Sequence, residues 1–265
     1  MFLTSFRVAD EVEKEEILDA LLPLLPAGVH EHGPVLSVFS GVPFERAVIE
    51  AACGRALDGW TVEEVPADWR ARRARLGGGG VVVGGRVSIR SPWDPPPATD
   101  VIDVVVERRG NAFGSGSHPT TQMCLALLLD VDVCGGAADL GCGVGTLAIA
   151  AAKLGWAPVV GVDRVPVAIE VARENVARNA VSVACSVVDL AVDPVPLAPL
   201  LLVNAPPPVH ARVAASIMSE VRHVIVSGIV AEEVEAVLAG YRAVGFETAA
   251  ALGTEDEWIA LRLSC

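Results

Sequence analysis

Asp139-Leu140-Gly141-Cys142-Gly143-Val144-Gly145-Thr146 decides the fold of this chain. The apolar run Gly136-Ala137-Ala138 leads into it and Leu147-Ala148-Ile149-Ala150-Ala151-Ala152-Lys153-Leu154 follows, an order that reads strand, glycine turn, helix. Glycines at alternate positions let backbone adopt positive φ and pass close to a ligand. The helix start beyond them offers N–H groups without intrahelical partners and a partial positive charge. A small ligand is therefore expected over this turn.

The spacing argues against a dinucleotide site. The glycines fall at 141, 143 and 145, and Thr146 stands where G-x-G-x-x-G needs its third glycine. An acidic residue, Asp139, ahead of G-x-G-x-G resembles instead the first motif of the S-adenosylmethionine-dependent methyltransferases. About 20 residues on, the apolar run Val160-Gly161-Val162 ends in Asp163, a carboxylate able to accept from both hydroxyls of a ribose.

The alternation continues downstream. Residues 166–180 read as a helix and 181–188 as a strand, with Asp189 at its end. Ligands of open parallel sheets lie beyond the carboxyl ends of the strands, so Asp189 is either an adenine contact or a loop carboxylate. Leu200-Leu201-Leu202-Val203 is continuously apolar and predicts a buried strand, followed by Asn204-Ala205-Pro206-Pro207-Pro208. Then come a helix over 209–220, a strand over 222–227, a helix over 231–244 and strands over 246–250 and 257–263. This pattern predicts a mainly parallel sheet covered on both faces, closed by an antiparallel edge hairpin.

The first third of the chain has a different grammar. A strand over 2–8, a helix over 11–22 closed by Pro23 and Pro26, a strand region over 30–39, a helix over 44–57 and a strand over 60–65 make a small α+β unit, residues 1–65. His30 and His32 lack cysteine or carboxylate company and read as polar surface. Residues 66–100 shift to Arg, Gly and Pro, a connector that keeps a strand-like stretch at 81–89 and a stiff Trp93-Asp94-Pro95-Pro96-Pro97 segment. Within it, Arg70-Ala71-Arg72-Arg73-Ala74-Arg75 reads as a solvated linker, and Gly77-Gly78-Gly79-Gly80 predicts units that move relative to each other. A strand over 101–107 opens the remaining unit, residues 101–265.

The net charge of −13 disfavours direct contact with nucleic-acid phosphates and suits a basic partner. No stretch approaches the roughly 20 apolar residues that span a bilayer. The N-terminus runs into Asp10-Glu11-Val12-Glu13-Lys14-Glu15-Glu16, the wrong order for a signal peptide, so no membrane association and a cytoplasmic location are expected. The six cysteines (53, 124, 134, 142, 185, 265) show neither C-x-x-C pairing nor metal-ligand spacing and read as buried small apolar residues, with no metal site.

One loop carries the family signal. In Asn111-Ala112-Phe113-Gly114-Ser115-Gly116-Ser117-His118-Pro119-Thr120-Thr121-Gln122, Pro119 suits a helix start and Thr120 and Thr121 supply hydroxyls there. Such a loop can fold over a ligand at the glycine turn, with Phe113 closing the apolar side. His118 is either part of the chemistry or a structural hydrogen-bonder in a helix cap. This run, the glycine motif, Gly161-Val162-Asp163, Ala172-Arg173-Glu174-Asn175, Asn204, Val226-Ser227-Gly228-Ile229 and Tyr241-Arg242-Ala243-Val244-Gly245-Phe246 occur in one order. Over residues 91–262 the chain resembles the PrmA-type bacterial ribosomal protein lysine methyltransferases, which modify a protein at the stalk base of the large ribosomal subunit.

The resemblance implies a seven-stranded Rossmann-like (class I) S-adenosylmethionine methyltransferase domain preceded by a small α+β, ferredoxin-like domain that recognises the substrate. It implies a protein N-methyltransferase acting, as a monomer, on lysine or N-terminal amines of a ribosomal protein. It carries cofactor contacts to Thr121, Gly141, Asp163 and Asn204. With the residue reading, the cofactor set is Thr121, Asp139, Gly141, Gly143, Gly145, Asp163, Asp189 and Asn204, and the catalytic set Asn204, Phe113 and His118. Asn204 is expected to orient the acceptor amine through its side-chain carbonyl. The three prolines after it lean toward the N-P-P-[YF] motif of enzymes acting on planar nitrogens, but Pro208 or Val209 stands where the aromatic would be. Another protein, a small amine or a planar amide is therefore the alternative acceptor, and a paralogue that binds without turnover the alternative from a different class.

Overall fold

The computed structural model describes residues 2–9, 13, 14, 17, 21, 29–32, 34–40, 42–65, 80–92, 94–98, 100–107, 116, 118–254 and 257–265. The basic run 70–75, Gly77 to Gly79, Trp93 and Phe113 lie outside them. The chain divides into two compact units, Met1–Gly78 with Arg108–Ala112, and Gly79–Glu107 with Phe113–Cys265.

The first unit is one antiparallel sheet of β1 (Phe2–Arg7), β2 (Val29–His32), β3 (Val35–Ser40) and β4 (Asp58–Glu64), in spatial order β2-β3-β1-β4. Helix α1 (Arg46–Cys53) joins β3 to β4, and Gly54 ends it in the left-handed conformation at φ 67°. Glu13, Lys14, Ile17 and Leu21 are helical between β1 and β2. Strand–helix–strand–strand–helix–strand in this order is the ferredoxin-like arrangement. The strand region expected over 30–39 is a hairpin instead, because the chain reverses near Pro34. Phe6, Ile17, Leu21, Leu36, Val38, Ile49 and Leu57 form the core of this unit.

In the second unit a hairpin of β5 (Val81–Val83) and β6 (Val87–Arg90), turning at Gly84 and Gly85 with φ 57° and 65°, is joined in parallel by β7 (Ile102–Val105). The main sheet contains β8 (Ala137–Leu140), β9 (Val159–Asp163), β10 (Val183–Val187), β11 (Leu200–Asn204), β12 (His223–Val230), β13 (Glu247–Gly253) and β14 (Trp258–Ser264), in order β10-β9-β8-β11-β12-β14-β13. The first five run parallel. β14 is antiparallel to both neighbours, so the closing hairpin puts its last strand inside the sheet and leaves only β13 at the edge.

Helices α2 (Pro119–Leu128), α3 (Thr146–Lys153), α4 (Pro166–Arg178), α5 (Pro207–Ala214) and α6 (Val234–Arg242) cover the sheet. Along β11, Leu200 and Leu202 join the core that includes α2, α3 and the β5–β7 sheet, while Leu201 and Val203 join the core with Val213, Val237 and Tyr241. Continuous apolarity in β11 is thus burial on both faces. The helix expected over 209–220 stops at Ala214. Cys124, Cys142 and Cys185 are buried as expected, whereas Cys134 and Cys265 are exposed and Cys53 is half-buried; all six are free thiols. Among the described residues no helix is long and apolar enough to cross a membrane, and no group of three or more His, Cys, Asp or Glu side chains could hold a metal ion.

Candidate active site

A cavity of about 600 Å³ opens at the carboxyl ends of β8, β9, β10 and β11, entirely within the second unit. Gly141, the first glycine of the glycine turn, lines its floor. Gly141, Gly143 and Gly145 have φ of 86°, 52° and 87°, a backbone region that side chains rarely enter. The end of β9 fixes the turn: Gly141 and Cys142 donate to the Val162 carbonyl at 2.8 and 2.9 Å, and Gly143 donates to Asp163 Oδ2 at 2.9 Å. Asp163 Oδ1 accepts from Val165 N at 2.9 Å. Each carboxylate oxygen keeps a further acceptor position, and Asp163 lines the cavity. A Cβ on Gly141 would meet nothing nearer than Ala205 Cβ at 3.9 Å, so the backbone there stays open to a ligand.

Two buried polar residues support the turn from behind. Asp139, inside β8 and 1% exposed, accepts from Ala148 N at 2.9 Å and so satisfies a first-turn N–H of α3, whose N-cap Gly145 has no side chain to do it. Burial pushes its carboxyl up to about 7, opposed by the Ala148 hydrogen bond and reinforced by the charge of Asp163. Asn175, on α4, donates to the carbonyls of Val144 and Glu107 at 3.0 and 2.9 Å and accepts from Glu107 N at 2.9 Å.

The neighbouring wall centres on Asn204. His118 is the N-cap of α2 and Pro119 its first residue. Thr120 N donates to His118 Nδ1 at 3.3 Å, and Thr120 Oγ1 lies 2.7 Å from the same nitrogen. A backbone N–H only donates, so Nδ1 is an acceptor and the Thr120 hydroxyl donates to it as well. The hydroxyl oxygen then accepts from Asn204 Nδ2 at 3.1 Å. Burial lowers the His118 pKa and so favours the neutral ring this arrangement needs. The chain of bonds fixes which way the Asn204 amide points, leaving Oδ1 buried and, among the described residues, without a hydrogen-bond partner. An unpaired buried carbonyl on a cavity wall is an acceptor awaiting an N–H or O–H.

The backbone after Asn204 interlocks with β12. Ala205 N donates to the Ser227 carbonyl at 3.0 Å. Gly228, at φ 78°, sits in an irregularity of the β12–β14 pairing, and a Cβ there would lie 2.6 Å from Ala205 N. Pro206, Pro208, Val209 and Trp258 then give the cavity an apolar side. Trp258 packs edge-on to His118, with ring centroids 5.2 Å apart at 75°.

Of the residues read from the sequence, His118, Gly141, Asp163, Asp189 and Asn204 line the cavity. Thr121, Asp139, Gly143 and Gly145 are buried and do not line it. Thr121 is buried and its hydroxyl, like the Asn204 carbonyl, has no partner among the described residues. Phe113 lies outside the described residues. Sequence reading missed Trp258, which no local motif marks, and the packing role of Gly228, which entered only as part of the Val226-Ser227-Gly228-Ile229 resemblance, just past the strand expected over 222–227.

Residues 61–264 match the family model described as ribosomal protein L11 methyltransferase (PrmA). The ribosomal protein L11 methyltransferase of Laribacter hongkongensis is 37% identical over 165 residues, 60% of this chain and 54% of that protein. The protein of the same name from Geobacter metallireducens is 37% identical over 183 residues, 68% of this chain and 60% of the relative. The chain thus spans between half and two thirds of the length of these relatives. A solved structure of ribosomal protein L11 methylase from Lactobacillus delbrueckii subsp. bulgaricus superposes with a TM-score of 0.60 at 24% identity, over 70% of this chain and 97% of that one, and shares the fold.

Proposed function

We propose, from the premise that this chain belongs to the ribosomal protein L11 methyltransferase family, that it transfers methyl groups from S-adenosylmethionine to lysine or N-terminal amines of a large-subunit ribosomal protein. The observation that carries the reading is the unpaired Asn204 carbonyl, held in a fixed direction on the wall of a cavity whose floor is lined by Gly141 of the glycine turn.

The residues suit the cofactor. Open backbone at Gly141, spare acceptor positions on Asp163 and the Asp189 carboxylate at the end of β10 match an amino-acid moiety, a ribose and an adenine amino group in turn. When bound, S-adenosylmethionine supplies an electrophilic methyl on a sulfonium, which needs a neutral, aligned nitrogen more than it needs acid or base catalysis. Asn204 Oδ1 accepts one N–H of the acceptor and so turns its lone pair toward the reaction line. The apolar side formed by Pro206, Pro208, Val209 and Trp258 excludes water and lowers the pKa of an entering ammonium, which frees the amine. Thr120 and His118 keep the Asn204 amide from flipping.

The net charge of −13 supports a basic protein substrate without direct nucleic-acid contact. In this reading the ferredoxin-like unit recognises that substrate, the enzyme acts as a monomer, and light scattering at working concentration tests the last point. Trp258 supports a second reading, a planar nitrogen acceptor, because it places an indole on the cavity wall that the proline loop itself does not provide. Methyl incorporation from labelled cofactor into a cell lysate, followed by mass spectrometry, separates the cases. Label on a large-subunit ribosomal protein supports the proposal, label on a planar nitrogen supports the second reading, and cofactor binding without label overturns both.

A further inference from the structure

The Asn204 loop is fastened from its far side by a buried histidine. On α5, Pro208, Val209 and Arg212 face the cavity, while His210 points the other way and is 1% exposed. His210 Nε2 lies 3.0 Å from the Ser227 carbonyl, and Nδ1 lies 3.1 Å from the hydroxyl of Tyr241 on α6, itself 0% exposed. A carbonyl only accepts, so Nε2 carries the hydrogen and Nδ1 accepts from the phenol. The same carbonyl accepts from Ala205 N at 3.0 Å, so both of its acceptor positions are used by the segment that follows Asn204. Burial lowers the His210 pKa and keeps the ring neutral. Ser227 in turn is tied to the sheet, its hydroxyl donating to the Ile259 carbonyl at 2.8 Å. Each of these groups would be buried and unsatisfied in any other arrangement, a cost that makes the network adopt a single geometry.

We propose that His210 is a positioning residue for the acceptor side of the cavity: together with Tyr241 it pins the first turn of α5 to the Ser227 carbonyl and so holds Ala205, and with it the Asn204 side chain, in register with β12. The inference rests on the reading of this cavity as a methyl-transfer site. His210 touches no reacting atom; it acts through the backbone of residues 204–206.

The test is a comparison of His210→Leu, His210→Gln and Tyr241→Phe in the full chain. His210→Leu keeps the volume and removes both hydrogen bonds. It is expected to lower kcat on the order of tenfold while KM for the cofactor stays within about twofold, because misplacement rather than lost binding is at issue. His210→Gln keeps a donor for Ser227 and is expected to recover kcat to within about threefold of the unaltered protein. The backbone amide resonances of Asn204 and Ala205 should shift in His210→Leu while those of Asp163 and Asp189 stay in place. A His210→Leu protein with unaltered kcat and unmoved Asn204 and Ala205 amides overturns the inference, whatever its melting temperature. Should that variant fail to fold, Tyr241→Phe decides by the same two readouts. Absence of methyl transfer by the unaltered enzyme would overturn the functional reading instead, and the amide shifts would still judge the role of His210.

Discussion

Two turns at the carboxyl ends of neighbouring strands, one after β8 and one after β11, make two sides of the cavity by opposite means. The turn after β8 has three glycines at positive φ, and its shape comes from hydrogen bonds to the end of β9, the next strand in sequence. The turn after β11 has three prolines that remove φ freedom and N–H donors, and its direction comes from groups far along the chain: Thr120, 84 residues away, and Ser227 and Gly228 on β12. The difference teaches that the glycine side, the cofactor side in the proposed reading, is specified locally, and the proline side, the proposed acceptor side, by tertiary packing. A family can keep the first unchanged while the second drifts toward another acceptor.

The sharpest way to probe the glycine side is pH. Native Asp139 holds its proton up to about 7, against an ordinary value of 3.8 for the unfolded chain. Between those values the folded state binds more protons, so Asp139 makes stability fall as pH rises from about 4 to about 7 and level off above, a loss of roughly 4 kcal/mol. Asp139→Asn keeps an acceptor for Ala148 N and should flatten that window in denaturant titrations; an unchanged slope would show that the buried carboxylate does not govern the turn. Gly228→Ala probes the proline side. A Cβ driven toward Ala205 N at positive φ is expected to cost about 3 kcal/mol by denaturant unfolding, and a near-neutral result would break the claim that β12 and the loop interlock.

Two smaller effects divide the cavity by function. Asn204→Ala removes the oriented carbonyl and should lower kcat about 100-fold, near 2.7 kcal/mol, in a labelled-methyl assay; full turnover with unchanged cofactor affinity would refute its role. Asp163→Asn should weaken cofactor binding about tenfold by calorimetry while leaving kcat at saturating cofactor within about twofold. If instead both variants changed the same parameter, the two sides of the cavity would not be separable.

How much was legible in the sequence follows the same division. The strand, turn and helix around Gly141 are written in adjacent residues, because positive φ demands glycine wherever it occurs, and Asp163 follows at the end of the next strand. The alternating strands and helices were readable for the same reason. Trp258 was not, because its place on the cavity wall depends on β14 entering the sheet between β12 and β13 rather than on any neighbour in sequence. The hairpin over 29–40 was missed although Gly33-Pro34 is a turn dipeptide, because β2, Val29-His30-Glu31-His32, holds one apolar residue and does not read as a strand of its own. Cys134 and Cys265 were misplaced because composition alone does not say which small apolar residues fall in loops or at a chain end.

The position of β14 has a kinetic consequence. Strands β12 and β13 are joined through α6, yet they cannot pair with each other; they must wait, at the right separation, for a strand that follows both in the chain. Pairing that skips over intervening structure is slow to nucleate, so insertion of β14 is expected to be a late step of folding. Trp258 is the first residue of that strand and part of the cavity. Its fluorescence would therefore act as a clock for completion of the pocket, and ligand binding should begin only when that signal has settled.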